Sequence, residues 1–187
     1  ISTSSQGKLF ISVAAGITTA NMLSRLPEAT ALVRCMPNTP ALVKTGMTAL
    51  FASPAVTAEQ RASATSVLTS VGESLWVDTE AELDIVTAVS GSGPAYFFLM
   101  MESMINAGVA EGLSTEVSTQ LVLQTALGAA VMAKQSESDA GTLRKQVTSP
   151  GGTTQAAIEH FQSVKFEDAV RGAVNAARTR SVELSKN

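Results

Sequence analysis

The side chains best suited to chemistry lie in the segment SPGGTT, residues 149–154, directly before an amphipathic run. Its proline and two glycines predict a tight turn whose backbone N–H groups converge, at the helix end that favours an anion. Three hydroxyls share this turn, those of Ser149, Thr153 and Thr154. A capped turn between two helices explains one hydroxyl and one glycine but not this many, so we favour a site for a small anion.

Two further segments follow predicted strands, where α/β sheets commonly bind ligands. Residues 12–17, SVAAGI, have small side chains that let a nucleotide approach the backbone, although an ordinary turn that needs a glycine is the simpler interpretation. In CMPNTPALV, residues 35–43, two prolines around Asn38 and Thr39 fix a rigid loop. The spacing does not decide between a ligand-contacting loop and a plain turn.

The segment VSGSGPAYFF, residues 89–98, contains a G-x-G pair before a predicted helix. It does not follow a strand, and Tyr96 stands where a dinucleotide fingerprint has its third glycine. We therefore predict a sharp joint between two helices, with Pro94 in the first turn of the second helix and free N–H groups available to a ligand.

Residues for other kinds of catalysis are few. His160 is the only histidine and Cys35 the only cysteine, so these residues contain no intrachain disulfide and no cysteine-rich metal site. A single histidine on a helix is more often structural than catalytic, and we assign it no role. We assign no metal, and the sequence favours a reaction that depends more on positioning than on proton transfer by the protein.

Composition argues against several classes of partner. The 187 residues have a net charge of −3, and their 13 Lys and Arg residues form no block, so we expect neither nucleic acid nor an anionic membrane as partner. The most apolar stretches are predicted to be buried helices, because they are interrupted by polar residues or fall short of the about 20 residues that span a bilayer. With no secretory signal in view, we expect a cytoplasmic location.

The elements that position these segments fall into two parts. Short β-rich runs alternate with helical patterns up to about residue 79, which predicts an α/β layer with parallel strands. Within it, Thr57 and Gln60 predict a capping box on a helix that ends at Gly72. After residue 79 only helical patterns remain. We therefore predict an α/β domain over residues 1–79 and an all-helical domain over residues 80–187.

The helical part is predicted to contain six helices. Two of them, near residues 94–112 and 115–134, are apolar on too many sides for surface helices and carry small residues such as Gly108 and Gly128. Such helices need neighbours all around, and a domain this small offers few. We therefore expect association between subunits.

Four of these segments together identify the chain as similar to a known family. LRKQVTSPGGTTQAAIEHF closely resembles the signature of pyrroline-5-carboxylate reductases, and ISVAAGI, RCMPNTPALVKTGMTAL and AVSGSGPAYFFLMMESMINAGVAEGLS resemble further segments of that family in the same order. The resemblance extends from about Lys8 to near the last residue. It implies reduction of 1-pyrroline-5-carboxylate to L-proline by NADPH or NADH, the last step of proline biosynthesis.

The resemblance also implies roles for particular residues. It places the substrate on Ser149, Gly152, Thr153 and Thr154, with the Thr154 hydroxyl near the ring nitrogen as the catalytic group. It places the cofactor on Ala14, Ala15 and Gly16, on Met36, Pro37, Asn38 and Thr39, and on Gly93 and Pro94. It further implies the C-terminal part of a Rossmann-type nucleotide-binding domain, followed by a helical domain that forms a homodimer.

Family members begin with a strand and a glycine-rich dinucleotide fingerprint, and nothing of that kind is found near Ile1. About the first third of a family chain is therefore expected to lie outside this sequence. Two alternatives to an active reductase stay open. In the first, the chain is a non-catalytic helical dimerisation fragment; in the second, it is another NAD(P)-dependent dehydrogenase with a helical C-terminal domain. Such enzymes are expected to use a lysine on a helix as general acid, and neither Lys134 nor Lys145 faces an evident site.

Overall fold

A computed structural model describes residues 7–185, so the first six residues of the predicted α/β domain lie outside the described part. The chain divides into two compact units. One contains the described residues up to Pro94 and those from Gly172 onward, and the other is Ala95–Arg171. The predicted boundary near residue 79 lies inside the first unit and stays a prediction.

The first unit contains a four-stranded sheet in the order β1-β2-β3-β4. Its strands are Leu9–Ser12, Ala31–Met36, Gly46–Ala52 and Gly72–Trp76. The pairs β1–β2 and β3–β4 are parallel, as predicted, but β2 and β3 are antiparallel. The connection between those two strands contains only a 3-10 helix, Thr39–Val43, and a parallel crossover needs a dozen residues or more.

Two helices connect parallel strands: α1, Thr19–Leu23, lies between β1 and β2, and α2, Ala58–Thr69, lies between β3 and β4. Helix α3, Glu82–Val86, follows β4. The buried core lies between the sheet and α2 and consists of Val33, Cys35, Leu50, Ala52 and Ala64. This α/β unit, followed by the helices of the second unit, confirms the predicted fold class.

The capping box predicted for α2 is confirmed. The Thr57 hydroxyl accepts from the Gln60 N–H, and the Gln60 side chain accepts from the Thr57 N–H. The predicted helix end at Gly72 is wrong, because α2 ends at Thr69 and Gly72 begins β4. Gly72 has φ +149° and passes so close to the Gly46 backbone that a Cβ would overlap it, so its glycine serves strand pairing.

The remaining helices are α4, Gly93–Ala110, α5, Thr115–Gln135, α6, Ala140–Gln146, α7, Thr153–Ser163, and α8, Phe166–Leu184. A π-helical turn, Thr87–Gly91, leads from α3 towards α4. The interpretation of α4 and α5 as buried helices is wrong for the single chain. Their exposed side chains include Phe97, Phe98, Leu99, Leu121 and Leu127, all at least half exposed.

By length and composition alone, one described helical stretch, Glu82–Ala110, is apolar enough to cross a membrane, with a mean hydropathy of 1.2. Only 17% of its most apolar window is buried. The stretch contains the π-helical turn and the carboxylates of Asp84 and Glu102. Apolar helices of soluble proteins meet the same criteria, so the expectation of no membrane stays a prediction.

A buried ion pair joins three segments of the first unit. Arg34 on β2 is buried, and its guanidinium donates to the Glu80 carboxylate at 2.8 Å. The same Glu80 oxygen accepts from the Thr19 N–H at 2.6 Å and from the Thr19 hydroxyl at 2.9 Å. The residues next to Glu80 in the sequence do not indicate these partners, which lie 46 and 61 positions away. The Glu80 carboxylate holds β2, the start of α1 and the chain before α3 together.

Replacing Glu80 by alanine is expected to lower the free energy of unfolding by about 2–4 kcal/mol, because Arg34 would stay buried with neither a counter-charge nor an acceptor, and Thr19 would lose its acceptor too. Glu80→Gln keeps an acceptor oxygen and is expected to cost clearly less. Urea unfolding of the two variants measures the difference. Equal losses below about 1 kcal/mol in both variants would contradict a structural role for this pair.

The buried thiol of Cys35 is expected to be unreactive in the folded chain. Burial raises its pKa to about 11, and its Sγ–H donates to the Ser12 carbonyl at 3.3 Å. Little thiolate therefore exists at pH 8, and alkylation should be at least about tenfold slower than in urea. Labelling followed by mass spectrometry tests this, and equal rates in both states would show that the thiol is accessible.

Candidate functional site

The segment 149–154 forms the predicted tight turn in the second unit. Gly151 has φ +72°, which explains a glycine there, and the Gly152 N–H donates to the Ser149 carbonyl at 3.0 Å. The Gly151 N–H donates to the Gln155 side chain at 2.7 Å. Gln155 in turn donates to Glu159 at 2.6 Å, so the first turn of α7 holds the loop.

Five hydrogen-bond donors at the start of α7 have no partner among residues 7–185. Gly152 is the N-cap residue and offers no side chain to the first N–H groups. No hydrogen bond within this part of the chain engages the hydroxyls of Ser149, Thr153 and Thr154, nor the N–H groups of Thr153 and Thr154. Thr154 is half-buried, and the other two hydroxyl residues are exposed. These donors are therefore available to an anion.

Helix α6 leads into this turn from a well-capped start. The Asp139 carboxylate accepts from the Thr142 N–H at 3.0 Å and from the Thr142 hydroxyl at 2.8 Å. The hydrogen bonds from the Thr142 hydroxyl and N–H hold the pKa of Asp139 below its usual value. At its other end, the Thr148 hydroxyl donates to the Arg144 carbonyl at 2.6 Å, which fixes the chain just before Ser149.

In the first unit, the segment with Ala14, Ala15 and Gly16 follows β1. The Ala14 N–H donates to the Ser12 hydroxyl at 3.3 Å. Gly16 has φ +72°, and a Cβ there would lie 3.2 Å from Leu184 of α8. Gly16 is therefore required by the turn and by packing, independently of any ligand.

The segment with Met36, Pro37, Asn38 and Thr39 follows β2. Because β1 and β2 are parallel, this segment and residues 14–16 leave the sheet at the same edge. Asn38 has its side-chain amide engaged at both ends. Its Oδ1 accepts from the Met47 N–H at 2.9 Å, and its Nδ2 donates to the Ser90 carbonyl and hydroxyl at 3.2 Å.

The joint before α4 lies next to this loop. Gly93 is buried at the start of α4, and Pro94 stands in its first turn, as predicted. The Ser92 N–H donates five residues back, to the Thr87 carbonyl at 2.8 Å, which produces the π-helical turn. A Cβ on Gly91 would lie 3.6 Å from the Met36 sulfur, so the joint packs against the loop after β2.

Within the first unit, the structure thus brings the loop after β2 together with the joint before α4. The sequence did not predict that Asn38 joins the loop after β2 to the joint before α4, or that Gln155 supports the 149–154 turn. It also did not predict that Glu80 pairs with Arg34. His160 is exposed on α7. In the range 7–185, no group of three His, Cys, Asp or Glu side chains is arranged to hold a metal ion.

Known proteins with similar sequences match nearly the whole chain. Residues 80–184 match the family model described as pyrroline-5-carboxylate reductase dimerisation. The pyrroline-5-carboxylate reductase of Pseudomonas aeruginosa is 52% identical over 179 residues, which cover 96% of this chain and 66% of that protein. The Mycobacterium tuberculosis reductase is 45% identical, over 95% of this chain and 65% of its own length. The chain thus spans just under two thirds of these relatives.

Solved structures of pyrroline-5-carboxylate reductases are also similar to this chain. A pyrroline-5-carboxylate reductase from Coxiella burnetii superposes with a TM-score of 0.94 at 42% identity, over 98% of this chain and 68% of that one. The Plasmodium falciparum pyrroline carboxylate reductase with NADP bound gives 0.90 at 34% identity, over 97% and 71%. The chain belongs to the pyrroline-5-carboxylate reductase family.

Proposed function

We propose that this chain forms the substrate side and part of the cofactor side of an enzyme that reduces 1-pyrroline-5-carboxylate to L-proline, the last step of proline biosynthesis. The observation that carries the proposal is a set of donors at the start of α7 that have no partner within residues 7–185. The family membership supports it with relatives that have this activity in their names.

The substrate is a small cyclic imine with one carboxylate, so its site needs hydrogen-bond donors for the carboxylate and one polar group near the ring nitrogen. The N–H groups of Thr153 and Thr154 and the end of the helix dipole suit the carboxylate. The Ser149 and Thr153 hydroxyls add donors, and Gly152 lets the substrate approach the backbone. The Thr154 hydroxyl is assigned to the ring nitrogen, where it orients the imine or the product amine.

The reductant in this proposal is NADPH or NADH. The residues fit a nucleotide in one respect, because the segment 14–16 has small side chains at the carboxyl end of a strand. When bound, the nicotinamide supplies the hydride. The cofactor-side residues are then Ala14, Ala15 and Gly16, the loop with Met36, Pro37, Asn38 and Thr39, and the joint with Gly93 and Pro94. The Plasmodium falciparum relative with NADP bound supports this choice of cofactor.

We further propose a cytoplasmic homodimer that forms through the helical residues 80–184. The exposed apolar side chains of α4 and α5 need a cover, and the matching family model describes dimerisation. A second copy of the same chain provides that cover.

Thr154→Ala is expected to lower kcat/KM for the imine by about 100-fold, because the ring nitrogen loses its hydrogen-bond partner. Thr154→Ser keeps the hydroxyl and should recover most of the activity. The assay follows nicotinamide absorbance with this chain fused to the part of the Pseudomonas aeruginosa relative that it does not cover. The free energy of unfolding should change by less than about 1 kcal/mol.

The fusion without substitution tests the activity itself. A folded fusion that binds NADPH but leaves the imine unreduced would contradict the proposed function. Equal losses of activity and stability in Thr154→Ala would contradict the role of Thr154.

Leu127→Glu is expected to shift the dimer to monomers, because Leu127 on α5 is 58% exposed in the single chain and a carboxylate cannot be buried there unpaired. Leu42→Glu is the matched control, since Leu42 is 89% exposed and lies outside the residues of the dimerisation match. Analytical ultracentrifugation measures both variants. A Leu127→Glu dimer as stable as the control would contradict the proposed interface.

A further inference from the structure

Pro94 has no N–H that could donate to a carbonyl of the π-helical turn before it. In an α-helix each N–H donates to the carbonyl four residues earlier, and proline has no N–H to donate. The carbonyl four residues before Pro94 belongs to Ser90, in the π-helical turn Thr87–Gly91. A backbone carbonyl in this half-buried position needs another donor.

Asn38 supplies that donor from a different segment. Its Nδ2 lies 3.2 Å from the Ser90 carbonyl oxygen and 3.2 Å from the Ser90 hydroxyl. Its Oδ1 lies 2.9 Å from the Met47 nitrogen at the start of β3. Because the Met47 N–H can only donate, the atom that faces it must be the amide oxygen, and the amide nitrogen therefore faces Ser90.

We infer that Asn38 is a positioning residue whose side-chain amide replaces the donor that Pro94 lacks and so holds the π-helical turn against the loop after β2. Both ends of this amide are engaged within the chain, so Asn38 contributes to the proposed cofactor side by positioning the loop. The Met36 sulfur lies at the same junction, 3.6 Å from where a Cβ on Gly91 would stand. The consequence for cofactor binding rests on the proposed function.

Asn38→Asp tests the inference without removing the bond to β3. A carboxylate still accepts from the Met47 N–H, but it opposes the Ser90 carbonyl with a second acceptor. Hydrogen exchange of this chain is expected to become at least about fivefold faster at the Ser92 amide, while the Met47 amide stays within about twofold of the unsubstituted chain.

Two companion variants separate the positioning role from general loosening. Ser90→Ala keeps the carbonyl and loses only the hydroxyl, so the Ser92 amide should stay within about twofold of the unsubstituted chain. Adding Pro94→Ala to Asn38→Asp restores a backbone N–H that can reach Ser90, so Ser92 protection should recover. Unchanged Ser92 exchange in Asn38→Asp, or equal acceleration at Met47 and Ser92, would overturn the inference.

A second readout follows cofactor affinity in the fusion used for the activity assay. Asn38→Asp should raise the Kd for NADPH by about fivefold, with the melting temperature nearly unchanged, because the loop and the joint lose their fixed relation. An unchanged Kd would overturn the effect on cofactor binding. Failure of the unsubstituted fusion to bind NADPH would instead count against the proposed function, and the exchange experiment would still decide the role of Asn38.

Discussion

The first unit depends on one carboxylate oxygen of Glu80. This oxygen neutralises buried Arg34 on β2 and caps the backbone at Thr19, where α1 begins. A buried guanidinium is tolerated only with such a partner, so the geometry of all three segments is fixed together. The segment with Ala14, Ala15 and Gly16 lies between β1 and α1, and its course is therefore set by this ion pair at one end and by the sheet at the other.

A second constraint comes from proline. A π-helical turn interrupts the regular hydrogen bonding between α3 and α4. Because Pro94 has no N–H to donate, the Ser90 carbonyl accepts from a side chain of the loop after β2. The 149–154 turn in the second unit shows the opposite arrangement. There Gln155 supports the loop, but five donors at the start of α7 have no partner among residues 7–185. One set of polar groups is satisfied within the described chain, and the other is the basis of the proposed anion site.

The sequence predicted what depends on local chemistry. The capping box of α2, the tight turn before α7 and the position of Pro94 follow from neighbouring residues, and the structure contains all three. What it did not predict depends on residues far apart in the chain. The antiparallel β2–β3 pair, the Asn38–Ser90 bond over 52 positions and the Arg34–Glu80 pair over 46 positions leave no periodic or local pattern. Gly72 was misassigned for the same reason, because its partner Gly46 belongs to another strand.

The most direct test of the proposed anion site is a nuclear magnetic resonance titration of this chain with L-proline, which is the product of the proposed reaction and carries the carboxylate. We predict saturable shifts at the backbone amides of Thr153 and Thr154, and weaker shifts at the same proline concentration in Thr154→Ala. Saturable shifts confined to other segments, or no shifts at these two amides in a folded chain, would contradict an anion site at the start of α7.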